Sequence, residues 1–184
     1  MLSIETMQRH MAAQFPGLLG VQLVELTPER VVAHLAVRPD LCTAGGIMHG
    51  GAYMGFADTL GAVGTVVNME RGRRTTTTDS STKFIGGAKV DTTVVGEAIP
   101  LHRGRTTQVW QTSIRTLEGK LCAVATQTLR EARNREMIAK VISPSEYLNQ
   151  PEAVVAQVLT GRAEAKRSRS LFSPLLSKLM KRSS

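Results

Sequence analysis

The sequence predicts an α+β fold in which one long buried helix is wrapped by a curved antiparallel sheet. The run from Gly50 to about Asn68 is helical in length, apolar all round and rich in small residues, with Asp58 its only charge. Two segments before it and four after it carry the valine and threonine content and the turn signals of short strands. The order helix, two strands, buried helix and then four strands, with no internal repeat, suits an antiparallel sheet wrapped around the long helix.

The elements follow in order. Ile4, Met7 and Met11 recur at helical spacing, which predicts a short helix over residues 3–15 ended by Pro16-Gly17. Residues 21–25 alternate as a strand, Thr27-Pro28-Glu29 turns the chain, and residues 31–37 form a second strand, giving a hairpin. Gly55, Gly61 and Gly64 each cost the central helix about 1 kcal/mol against alanine. Close packing beneath a sheet is the expected compensation. Arg71, Arg73 and Arg74 follow the helix, where cations suit its negative end; phosphate binding is the alternative. Strands are expected over residues 75–84, 90–99, 106–116 and 120–130, with a tight turn at Glu118-Gly119.

The strand pattern stops after about Arg133. One domain over residues 1–134 and an extension over 135–184 are expected. Within the extension, residues 151–159 read as a short helix closed by Gly161, and a basic linker leads to a second helical stripe of Leu171, Phe172, Leu175, Leu176 and Leu179.

Charge is uneven. The formal net charge is +8, yet from Thr160 onward seven Lys or Arg stand against the single acid Glu164. The basic character therefore belongs to the tail, and specific nucleic-acid binding by the domain is not expected. The tail is either solvated or makes a weak contact with anionic membrane surfaces. Cys42 and Cys122 lack the spacing of a disulfide framework or a zinc site. The N-terminus has no signal-peptide core, and no stretch reaches the roughly 18 apolar residues of a membrane span. A cytoplasmic protein is expected.

The chemistry concentrates in residues 43–51, Thr-Ala-Gly-Gly-Ile-Met-His-Gly-Gly, running into the helix that carries Asp58. An ionised carboxylate in an apolar helix costs several kcal/mol unless something outside the helix satisfies it. Asp58 is thus either a site residue or a core aspartate bonded to backbone. The glycines at the helix start expose amides at the positive end of the dipole, which can hold the oxyanion of an attacked thioester. Asp58 lies two turns on, roughly 10 to 14 Å away by helical rise. A dimer can bring the two together by presenting Asp58 to the helix start of a second subunit. The pattern His-Gly-Gly alone also fits a plain glycine turn.

The string Gly46-Ile47-Met48-His49-Gly50-Gly51, with Asp58 nine positions beyond His49, resembles the phenylacetyl-CoA thioesterase branch of the hotdog family. Gly20-Val21, the strand ending at Phe84 and Gly104-Arg105 extend the resemblance over residues 15–129. It implies the hotdog fold, a homodimer or homotetramer with sites between subunits, acyl-CoA as substrate and no cofactor. Asp58 would activate water or attack the thioester, and the Gly50 amide would polarise the carbonyl. His49 would shape the helix start, with general-base catalysis the alternative. A further hydroxyl would fall on Thr77 or Thr78. Family members often carry Asn or Gln six residues before the histidine; this chain has Thr43, whose shorter hydroxyl serves a less defined role. Lys83, Lys89, Arg103 and Arg105 are candidate contacts for CoA phosphates, or simply solvated cations. A hydratase is the rival within the fold, and a non-hydrolytic acyl-CoA-binding module the rival outside enzymes.

Overall fold

The computed structural model describes residues 3–70 and 72–133. Arg71, the domain boundary near 134 and every element expected in the extension lie outside the described residues.

Helix α1 (Ile4–Ala12) starts at Ser3, whose hydroxyl accepts the Thr6 N–H, and buries Met7 and Met11. Ile4, expected on the same stripe, is 36% exposed. Gln8 of α1 clamps the chain that follows, donating to Val21 O at 2.8 Å and accepting the Leu23 N–H at 2.9 Å. Pro16-Gly17 does not end a single helix as expected. A second helix, α2 (Phe15–Leu19), begins there, because proline suits a first turn whose N–H groups have no helical acceptor. Gly20, at φ 85°, closes it.

The hairpin of β1 (Gln22–Leu26) and β2 (Val31–Ala36) forms as expected. After a 3₁₀ turn at Pro39–Leu41 comes α3 (Gly50–Asn68), then β3 (Arg73–Phe84), β4 (Thr93–Arg103), β5 (Thr107–Thr116) and β6 (Leu121–Arg133). The six strands form one antiparallel sheet in the order β1-β2-β4-β5-β6-β3, so α3 carries the chain from the β2 side to the far edge. This is the α+β hotdog architecture. Several strand boundaries differ from expectation, β6 for instance running on to Arg133. Strand β4 starts three residues late because Asp91 takes φ 61° in a turn, and it runs on through a bulge after Pro100. Arg73 and Arg74 follow α3 as expected but already belong to β3, with Arg73 Nε 3.0 Å from the exposed carboxylate of Glu70.

Helix α3 packs against all strands from β2 to β6, and Phe56, Leu60, Trp110, Ile114 and Leu35 are fully buried between them. Gly61 and Gly64 make room for the sheet as expected, whereas Gly55 makes room for Phe15 and Leu19 of α2. A Cβ on Gly64 would lie 2.6–2.8 Å from the Trp110 ring, and one on Gly61 would lie 2.9 Å from the Gln127 amide. Helix propensity is given up where side chains from β5 and β6 need the space.

Candidate active site

Alternation along β6 directs Ala123, Ala125, Gln127 and Leu129 inward, and pairing with β3 brings Thr77 opposite Leu129. Both polar members of these rows reach Asp58. Thr77 Oγ1 donates to Asp58 Oδ1 at 2.8 Å. Its neighbour Thr78 occupies the bulge between Thr77 and Asp79 and donates instead to Thr128 O at 3.1 Å. The bulge decides which threonine of the run faces the helix. Gln127, fully buried, satisfies both ends of its amide by donating to Ala57 O at 3.1 Å and accepting the Asp58 N–H at 2.7 Å. The aspartate is therefore held through its backbone by β6 and through one oxygen by β3. It stays half-exposed and forms no ion pair among the described residues.

The helix start is capped from within its own loop. His49 Nδ1 accepts the Gly51 N–H at 2.9 Å, and the His49 carbonyl accepts from Ala52 at 3.0 Å and Tyr53 at 3.2 Å. Those bonds occupy three of the four N–H groups of the first turn. That of Gly50 has no acceptor among the described residues. As an acceptor, Nδ1 carries no proton and is spent on the cap. The loop is stitched down by Met48 N–H to Ala88 O at 2.9 Å, His49 N–H to Leu41 O at 2.8 Å and Val90 N–H to Gly46 O at 2.9 Å. Beneath it, the buried Tyr53 hydroxyl accepts the Ala88 N–H at 2.9 Å, and burial pushes that phenol up to about 12. Thr43 is exposed and its hydroxyl donates at 3.3 Å to Ile47 O in its own loop.

The basic residues do not gather. Lys83 is exposed on the outer face of β3 near the Gly50 end. Arg103 is engaged by Pro28 O at 3.2 Å, Asn68 Oδ1 at 3.1 Å and Glu29 at 3.3 Å, at the opposite end of α3. Arg105 is exposed in the β4–β5 loop, where its carbonyl accepts from Arg73 at 3.3 Å. Eight residues of helix separate Gly50 from Asp58, about 12 Å along the axis. One chain can thus offer a carboxylate with an open face and an unspent amide, but not at one carbonyl.

Gln127 and Phe84 were not singled out from the sequence. A long polar residue at an inward position of β6 was the available signal for the first; its partner on α3 was not legible.

The model of the thioesterase superfamily matches residues 45–123. A candidate esterase of Haemophilus influenzae is 30% identical over 111 residues, covering 60% of this chain and 80% of that protein. The crystal structure of a Haemophilus influenzae thioesterase superposes with TM-score 0.71 at 25% identity, covering 75% of this chain and 96% of that one. A hypothetical thioesterase protein of Streptococcus pneumoniae, solved with coenzyme A, shares the fold at TM-score 0.57 and 23% identity, covering 61% of this chain and 86% of that one.

Proposed function

The chain belongs to the thioesterase superfamily, and from that premise we propose that it hydrolyses acyl-CoA thioesters to the free acid and CoA, with Asp58 as the reacting carboxylate. The observation that carries this is Asp58 itself, half-exposed on an otherwise apolar helix, bonded to Thr77 and paired with no cation among the described residues. The Streptococcus pneumoniae relative solved with coenzyme A supports the CoA moiety of the substrate.

In the general-base form, Asp58 takes a proton from water as the water oxygen bonds to the thioester carbon. The carbonyl electron pair moves onto oxygen, where the Gly50 N–H receives it. Collapse expels the thiolate of CoA, which recovers the proton held by Asp58. In the nucleophilic form, Asp58 Oδ bonds to the carbon first and expels the thiolate of CoA, and water then hydrolyses the mixed anhydride, releasing the acid, restoring the Asp58 carboxylate and supplying the proton that the thiolate takes up. Thr77 orients the carboxylate in either form, and His49 builds the amide-bearing turn. Water is the co-reactant, with no metal or cofactor in any step.

The separation of Asp58 from Gly50 calls for two subunits. Strand β3 is a sheet edge, 12 residues long and paired on one side with β6. Beside it Gly51, Met54, Asp58, Ala62 and Val66 stay partly or fully accessible on α3. Antiparallel pairing of two such surfaces covers both and brings each Asp58 towards the helix start of the other copy.

The engagement of the Thr43 hydroxyl within its own loop favours a second reading, an acyl-CoA-binding module without turnover. Release of free CoA thiol from an acyl-CoA panel separates the two. Catalytic release supports the hydrolase, and stoichiometric binding without release overturns it.

A further inference from the structure

Phe84 closes β3 on the same face of the sheet as Ala123, its cross-strand partner, which is fully buried. The aromatic rings between α3 and the sheet, Tyr53, Phe56 and Trp110, are at most 3% exposed; Phe84 is 56% exposed. The ring is nonetheless held in place. Its atoms lie 3.2–3.7 Å from where a Cβ on Gly50 would stand, so it rests on the first residue of α3. Tyr53 braces it at a centroid distance of 6.3 Å and an interplanar angle of 56°. Tyr53 is anchored in turn by the Ala88 N–H. A fixed, half-exposed phenyl face therefore borders the peptide whose N–H has no acceptor among the described residues.

We propose that Phe84 is the specificity-determining residue of this site, its exposed face receiving the body of apolar acyl groups whose thioester oxygen lies on the Gly50 N–H. The inference rests on the hydrolase reading above. Two groups flank a bound thioester carbonyl, the acyl chain and the pantetheine arm of CoA. The arm carries two amides and requires hydrogen-bond partners, which a phenyl ring does not offer. Hydroxyls lie farther along the same strand, at Ser80 and Thr82, opposite Gln127 and Ala125 on the inner face, and the buried Thr82 Oγ1 has no partner among the described residues. The arm suits that track, and the apolar acyl body suits the ring. An acetyl group is too small to cover a phenyl face, whereas a six-carbon chain or an aryl group removes much of it from water. The benefit of the ring therefore grows with acyl size.

The test compares wild type, Phe84→Ala and Phe84→Tyr on a series running from the shortest acyl-CoA that the wild type turns over to hexanoyl- and phenylacetyl-CoA. In Phe84→Ala, kcat/KM falls about tenfold for the large apolar acyl groups and less than about twofold for the shortest. Phe84→Tyr, which keeps the ring, retains the wild-type ratio. An equal loss on every substrate marks a merely structural ring and overturns the proposal, as does no loss on any. Wild type inactive across the whole series overturns the hydrolase reading and this inference with it; wild-type turnover with an unchanged ratio overturns this inference alone.

Discussion

At the scale of the residue, the contacts of Asp58 divide its two tasks. Gln127 holds the aspartate backbone and Thr77 holds one carboxylate oxygen, which leaves the other lone pairs for substrate or water. Asp58→Asn keeps the shape and both supports but can neither accept the proton nor attack. Its kcat is expected to drop by about 100- to 10,000-fold with the thermal midpoint little changed. Near-wild-type turnover by the purified variant would sink the assignment. Thr77→Val removes the hydroxyl that donates to the Asp58 carboxylate. A loss of about tenfold to a hundredfold in kcat, larger than for Thr78→Val, is expected from the usual worth of such a bond. Equal effects at the two positions would mean that the bulge does not select Thr77.

At the scale of the element, α3 is a poor helix that the sheet makes stable. Gly61 and Gly64 stand where β6 and β5 press closest, and Gly64 lies directly under the Trp110 ring. Gly64→Ala improves intrinsic helix propensity yet forces the methyl against fully buried indole atoms. The clash outweighs the propensity, and a net destabilisation of about 1 to 3 kcal/mol is expected by denaturant titration. A stabilised variant would show that the helix can move away from the sheet. The helix start is likewise a joint product. The His49 cap belongs to the loop, but the loop keeps its shape through Leu41 on one side and Ala88 and Val90 on the other, which two separate segments supply.

At the scale of the whole molecule, the decisive quantity is the roughly 12 Å of helix between the Gly50 amide and Asp58. Mixing Asp58→Asn subunits with subunits carrying Gly50→Pro, which lack the amide donor, is expected to restore one working site per mixed dimer. With random exchange about half the dimers are mixed and each carries one of two sites, so activity recovers to roughly a quarter of wild type. No recovery after verified subunit exchange would place both groups in one chain. We propose a catalytic domain over residues 1–134 and a basic extension that contacts anionic surfaces. Deleting residues 161–184 is expected to leave hydrolysis unchanged and to weaken co-sedimentation with anionic vesicles. Equal sedimentation of both forms would end the membrane proposal.

The sequence by itself determined the α+β class of one buried helix wrapped by an antiparallel sheet, the run of α3 and the existence of all six strands. These depend on local periodicity, small-residue content and turn chemistry, which are written along the chain. It also marked Asp58 as the residue needing outside support, because a lone acid in an apolar helix has no neighbour on its own element to satisfy it. What the tertiary structure decided is the identity of that support. Thr77 faces the helix because a bulge in β3 takes up Thr78, and Gln127 reaches the Asp58 backbone because β6 lies between β5 and that edge strand. Phe84 borders the Gly50 amide for the same kind of reason, two segments 34 positions apart meeting only once the sheet has closed over the helix. Pairing register and edge position are set by contacts between distant segments, and no local pattern encodes which atoms those contacts bring together.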